Sequence, residues 1–234
     1  MTGTPRERAR EQTLADITRI GREHLARDGA AALSLRAVAR DLGVVSSAVY
    51  RYVKSRDELL TLLVVEGYNE LGDAVDAAVA AVPTGDPRAR LHGLGLAVRD
   101  WALREPACYG LLFGSPVPGY RAPADRTTGP GTRVVVAMVR ILDSAHREGK
   151  LSAPQQIPIG DPLRENLRGI REDMGLELPD ELMARGVLAW SSLFGAVNFE
   201  VFGQYGADTF ADPLALFEHH LSVLDEMVGL APQA

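Results

Sequence analysis

A single cysteine, Cys108, among 234 residues excludes an internal disulfide framework and any CxxC-based zinc or redox site. No unbroken apolar run is longer than the six residues of 134–139, far below the roughly 20 that a bilayer-spanning helix needs. The basic opening MTGTPRERAREQ has no apolar stretch behind it and does not read as a secretory signal, so a cytoplasmic chain without a membrane span is expected. The sequence also lacks a GxSxG elbow, a GxxxxGK phosphate loop and an HExxH zinc motif, and its Gly93-Leu94-Gly95 fragment has neither a preceding strand nor a third glycine. His219 and His220 are adjacent and point to different faces of a helix. His24 with Asp28 has helical ligand spacing but supplies too few ligands. No metal, cofactor or enzymatic activity is therefore expected, and an enzyme with an unrecognised site is the weaker rival. Lysine is scarce as well, two against 23 arginines, which reflects base composition more than mechanism.

What the chain does have is the composition of a folded protein, 46% hydrophobic and 24% charged. Its net charge of −6 is uneven: residues 1–60 carry +3 and residues 61–234 carry −9. A small basic part on an acidic body suits a nucleic-acid-binding module joined to a domain of another kind, although a solvated helix face carries as many charges.

Apolar spacing of three and four residues runs through most of the sequence, with almost no strand-like alternation, so the fold class expected is all-α. Leu14, Ile17, Gly21 and Leu25 mark a helix over 11–28 that Gly29 stops. Ser34 is an N-cap for 35–42, Gly43 ends that helix, and a short helix over 46–53 follows. A long helix of about 25 residues begins after Ser55 and runs to about Val82. Beyond the break at 83–87, further helices are expected at 88–104, 106–113, 131–148, 163–174, 179–204 and 213–229, with Pro106, Pro179 and Pro213 at tolerant start positions. The Pro/Gly-rich stretch 114–131 and the stretch 150–162, with Pro154, Pro158 and Pro162, read as non-helical.

The informative segment is SLRAVARDLGVVSSAVYRYVKSRDELL, residues 34–60. It reads as two short helices joined at Gly43, with Val38, Leu42, Val44 and Val49 packing the pair and Ser46, Ser47, Tyr50, Arg51 and Lys54 projecting outward. Small hydroxyls let a backbone approach DNA closely, while tyrosine and arginine reach phosphates or base edges in the major groove. A surface hairpin whose polar face merely meets water has the same spacing.

The segment resembles the DNA-binding domain of the tetracycline-repressor (TetR) family of bacterial regulators. The resemblance rests on Gly29, Ser34, Leu35-Arg36-Ala37-Val38-Ala39, Leu42-Gly43-Val44, Tyr50-Arg51-Tyr52, and Arg56 with Leu59-Leu60, and it covers about 11–60. Trp101-Ala102-Leu103-Arg104-Glu105-Pro106, Leu111-Leu112-Phe113-Gly114 and Pro116-Val117-Pro118-Gly119-Tyr120 are similar to one of the family's C-terminal subtypes. Three positions depart from the family's pattern: Val45 replaces a serine, Val53 an aromatic residue and Arg56 a lysine. Ser46 or Ser47 is then expected to cap the recognition helix, and Arg36, Lys54 and Arg56 to meet phosphates.

The resemblance implies an N-terminal three-helix helix-turn-helix domain over 1–60 and a larger helical ligand-binding and dimerisation domain over 61–234. It implies a homodimer that a small-molecule effector releases from double-stranded operator DNA, with Ser34, Arg36, Ser46, Ser47, Tyr50, Arg51, Tyr52, Lys54 and Arg56 at the DNA. Physical reasoning agrees, since one short recognition helix reads few base pairs and specificity then needs two heads. The expected dimer surface sets Leu182, Leu188, Leu193, Val197 and Val201 against Leu214, Phe217, Leu221, Leu224 and Val228, some of which must be core. Trp101, Tyr109, Phe113, Met138, Trp190, Phe194, Asn198 and Phe199 form a set suited to an apolar or aromatic effector, or to an ordinary core. A non-catalytic interaction protein that kept the head without reading DNA is the principal alternative.

Overall fold

A computed structural model describes residues 4–152 and 157–230. Residues 1–3 of the basic opening and Pro154 of the expected second break lie outside the described residues. Eleven α-helices make up the described chain: α1 (Pro5–Asp28), α2 (Leu35–Asp41), α3 (Ser46–Tyr50), α4 (Arg56–Ala80), α5 (Pro87–Arg104), α6 (Pro106–Phe113), α7 (Ala124–Gly131), α8 (Arg133–Arg147), α9 (Asp161–Met174), α10 (Asp180–Val201) and α11 (Pro213–Val228). Among the described residues the only β-type pairing is an isolated bridge between Leu151 and Leu230.

Two compact units divide the chain, one of residues 1–70 and 104–131, the other of 71–103 and 132–234. The boundary between the units lies at 70/71, further along α4 than the division at 60/61 expected from the sequence, and 104–131 groups with the N-terminal unit.

In the first unit Thr4 caps α1 through a capping box with Glu7, which explains a helix six residues longer at its start than the apolar spacing indicated. Ile17, Ile20, Val38, Val49, Val53, Leu59, Leu60 and Leu63 form its core. The α1 and α4 backbones meet closely at Gly21, where a Cβ would lie 3.3 Å from Leu59. Arg22 crosses from α1 to Glu70 of α4 through a paired set of hydrogen bonds and reaches Glu105 at 3.1 Å. The expected loop over 114–131 is corrected at its end by α7: the Thr127 hydroxyl donates to Pro123 O at 2.8 Å and the residue is buried, so tertiary anchoring overrides a glycine- and proline-rich sequence.

In the second unit Leu71, Val75, Leu94, Val98, Trp101, Met138, Leu142, Leu178, Leu193, Val197 and Leu221 are buried together as its core residues. Its two buried carboxylates each find donors. Asp143 accepts from the backbone of Glu177 at 2.7 Å and Leu178 at 2.9 Å, and Asp225 accepts from Arg88 at 2.8 Å and His92 at 2.6 Å. Arg99 holds Glu200 with two donors and lies 5.7 Å from the centre of the Phe217 ring.

Candidate nucleic-acid interface and apolar sites

In the first unit α2 packs on α3 through Val38, Ala39 and Val49, all buried. The connection turns at Gly43, whose φ of 70° is a left-handed value that suits glycine. Val44 N donates to Ala39 O at 3.0 Å and Ala48 N to Val45 O at 2.9 Å, which fixes the turn from both sides. The outer face then carries Ser47, Tyr50, Arg51 and Lys54, all exposed, with Ser46 half-buried at its edge. Arg36 is exposed on α2, Ser34 precedes that helix without a side-chain capping bond, and Tyr52 is half-buried beneath the Arg10 guanidinium. Among the described residues the charged groups of Arg36, Arg51 and Lys54 have no acidic partner within ion-pair distance. They therefore leave positive charge available at the surface.

Three sequence expectations change here. Val44, expected to pack the helix pair, is 45% exposed, and its neighbour Val45 is 72% exposed. Neither Ser46 nor Ser47 caps α3: Val45 occupies that position and offers no side-chain acceptor. Arg56 is half-buried and donates to Ala30 O at 2.9 Å and Ala31 O at 3.4 Å, so its guanidinium ties the α1–α2 connection to the start of α4.

Another tie was not visible in the sequence. Buried His24 on α1 donates from Nε2 to Asp41 Oδ2 at 2.6 Å, and this hydrogen bond holds the Asp41 carboxyl below its ordinary range. The bond pins the end of α2 to α1. His24 stands four residues from Asp28 and seventeen from Asp41, so helical spacing pointed to the wrong carboxylate.

The aromatic set is distributed over both units. In the first, buried Tyr109 and half-buried Phe113 lie 5.0 Å apart by ring centres, and burial raises the Tyr109 phenol well above its usual range. In the second, Trp101 and Met138 are buried, and Trp190 meets Phe194 edge-on at 6.0 Å. Trp101 Nε1 and Asn198 Oδ1, a donor and an acceptor, are both buried without a hydrogen-bond partner. Such atoms are uncommon and need an explanation.

The same unit sorts the expected dimer face. Leu182, Leu193, Val197, Phe217, Leu221, Leu224 and Val228 are buried within the single chain, and Val201 is half-buried. Leu188 and Leu214 are exposed, as are Val187, Phe199, Phe202 and Val223. Between α10 and α11 runs an open, largely apolar groove of about 480 Å³ whose walls include Ala196, Phe199, Tyr205, Val223 and Met227.

Among the described residues no group of three metal-ligating side chains comes together, and no helix is long and apolar enough to cross a membrane.

Known proteins match along most of the chain. Residues 17–63 match the profile of bacterial regulatory proteins of the tetR family, and residues 91–224 match that of a tetracyclin repressor-like C-terminal domain. The chain is 44% identical over 219 residues to the HTH-type transcriptional regulator Rv1816 of Mycobacterium tuberculosis (strain ATCC 25618 / H37Rv), covering 94% of this chain and 93% of that one. Among solved structures, the putative regulatory protein SCO4313 is 36% identical with a TM-score of 0.77, covering 94% of this chain and 98% of its own. A protein of unknown function from Rhodococcus sp. RHA1, 22% identical with a TM-score of 0.65 and coverage of 92% and 94%, shares the fold.

Proposed function

The chain belongs to the TetR family of bacterial transcriptional regulators, and from that premise we propose that it is a cytoplasmic repressor that binds a near-palindromic operator as a homodimer and is released by a small apolar or aromatic effector. The observation that carries the DNA reading is the outer face around α3, where hydroxyl, phenol and unpaired cationic groups sit together on a helix whose buried Val49 packs toward α2, which the His24–Asp41 bond in turn ties to α1. Ser47 and Tyr50 meet base edges and nearby phosphates; Arg36, Arg51 and Lys54 meet phosphates. Arg56 acts by holding the connection in front of α2 rather than by reaching the duplex.

The test is selection of bound sequences from genomic fragments, followed by affinity measurements on the selected duplex. Tyr50→Ala should weaken binding by about 1 to 3 kcal/mol with an unchanged melting temperature, and Lys54→Ala should flatten the salt dependence by about one unit of slope per protomer. Unchanged affinity in folded Tyr50→Ala removes α3 from the interface.

For the effector, the supporting observation is the pair of unmatched buried atoms, Trp101 Nε1 and Asn198 Oδ1. In this reading each is a polar anchor that orients the effector, which supplies the partner the protein does not. Asn198→Leu removes the unmatched acceptor, so the free protein should gain about 1 kcal/mol in denaturant titrations while operator release by its effector is lost. Lower stability together with intact release would make Asn198 an ordinary core residue. The effector must favour the DNA-free arrangement of the two heads, since a ligand with equal affinity for both states shifts nothing. The α4 helix is the physical link, a rod of 25 residues, about 37 Å at about 1.5 Å per residue.

A further inference from the structure

Val44 and Val45 present an anomaly that the operator reading leaves unused. Both are exposed, Val45 at 72%, in the turn that leads into the recognition helix. At Val45 two local rules are broken together: a large apolar side chain faces water, and the residue before a helix lacks the oxygen that would cap it. Departures of this kind belong at functional sites. The core behind them is filled by buried Val38, Val49 and Val53. Ser47 and Tyr50, shortly after them in the chain, are exposed as well.

Resting on the operator reading above, we propose that Val44 and Val45 read thymine methyl groups in the major groove and set the operator's sequence at those positions. Valine has no donor or acceptor to offer a base edge. The one apolar group that unmodified DNA displays in the major groove is the C5-methyl of thymine, and apolar side chains recognise it by contact. Valine is suited to this task because its χ1 is already restricted, so little rotamer freedom is lost when it docks. The hydrogen bonds Val44 N to Ala39 O and Ala48 N to Val45 O hold both residues in place before DNA arrives.

Uracil pairs as thymine does and differs only by the missing methyl, which makes it the probe. The selected operator is synthesised with each thymine replaced in turn by uracil, and full-length protein is titrated on each duplex. One or two positions per half-site should lose about fourfold in affinity, and about fifteenfold when both symmetry-related thymines are replaced, from about 0.8 kcal/mol per buried methyl-sized group. Synthetic duplexes contain no methylated cytosine, so the effect is assigned to thymine. In Val45→Ser the same positions should become indifferent to uracil, while other positions respond as before. The melting temperature should hold or rise, because serine restores a cap. That opposition of signs separates recognition from a structural role, which would lower stability and affinity together. Val44→Ser, measured in the same way, assigns each position to one valine. Uracil tolerated at every position, or equal uracil sensitivity in the parent and both variants, overturns the proposal while leaving operator binding standing. Failure to select any sequence overturns the operator reading, and this one with it.

Discussion

Leu221→Glu should unfold the second unit, with a loss of about 4 to 5 kcal/mol in denaturant titration. Leu221 on α11 is 2% exposed and packs against α5, where a Cβ at Gly95 would sit 2.5 Å from its Cδ2. A carboxylate placed there loses its water in a tight contact with α5, so it stays buried at a large cost or forces the helices apart. Effects of this size come from a short list of mechanisms, and an unpaired buried charge is one of them. The sequence left Leu221 equally available to a dimer face or to the core. Burial within one chain assigns it to the core, and a normally stable Leu221→Glu protein would contradict that assignment.

Two residues further along the same helix, the opposite outcome is expected. Val223 is 49% exposed and borders the groove between α10 and α11, so glutamate there meets water in the free chain and should leave the melting behaviour of the monomer intact. If this face joins two copies across a two-fold axis, the substitution places two like charges near one another in a dry contact. Light scattering should then report a folded monomer. Operator affinity should fall at least about a hundredfold, because a single head gives up the second half-site that separates specific from non-specific binding. A dimer of normal affinity would move the interface elsewhere. Read together, the two variants distinguish core from contact on one helix, a separation that Leu221→Glu alone does not make.

Periodicity by itself determined much of this protein. The helices over Pro106–Phe113, Arg56–Ala80 and Pro213–Val228 stand where spacing, proline starts and glycine stops put them, because a 3.6-residue apolar period and a fixed φ are properties of short segments. The recognition segment was legible for the same reason: a tight turn at Gly43 between two short amphipathic helices leaves few arrangements open, and the residues meant to face outward there, Ser47, Tyr50, Arg51 and Lys54, do so. Tertiary structure alone decided the rest. It gave His24 to Asp41 instead of Asp28, and it turned Arg56 toward the Ala30 carbonyl. It raised a helix from Ala124–Gly131, and it left Val44 outside while sending Leu221 in and Val223 out. Each of these depends on which distant side chain occupies the neighbouring volume. An apolar residue on an apolar stripe is bound to face something, but the choice between its own core, a second chain and a base in a groove is made by packing partners far away in the chain.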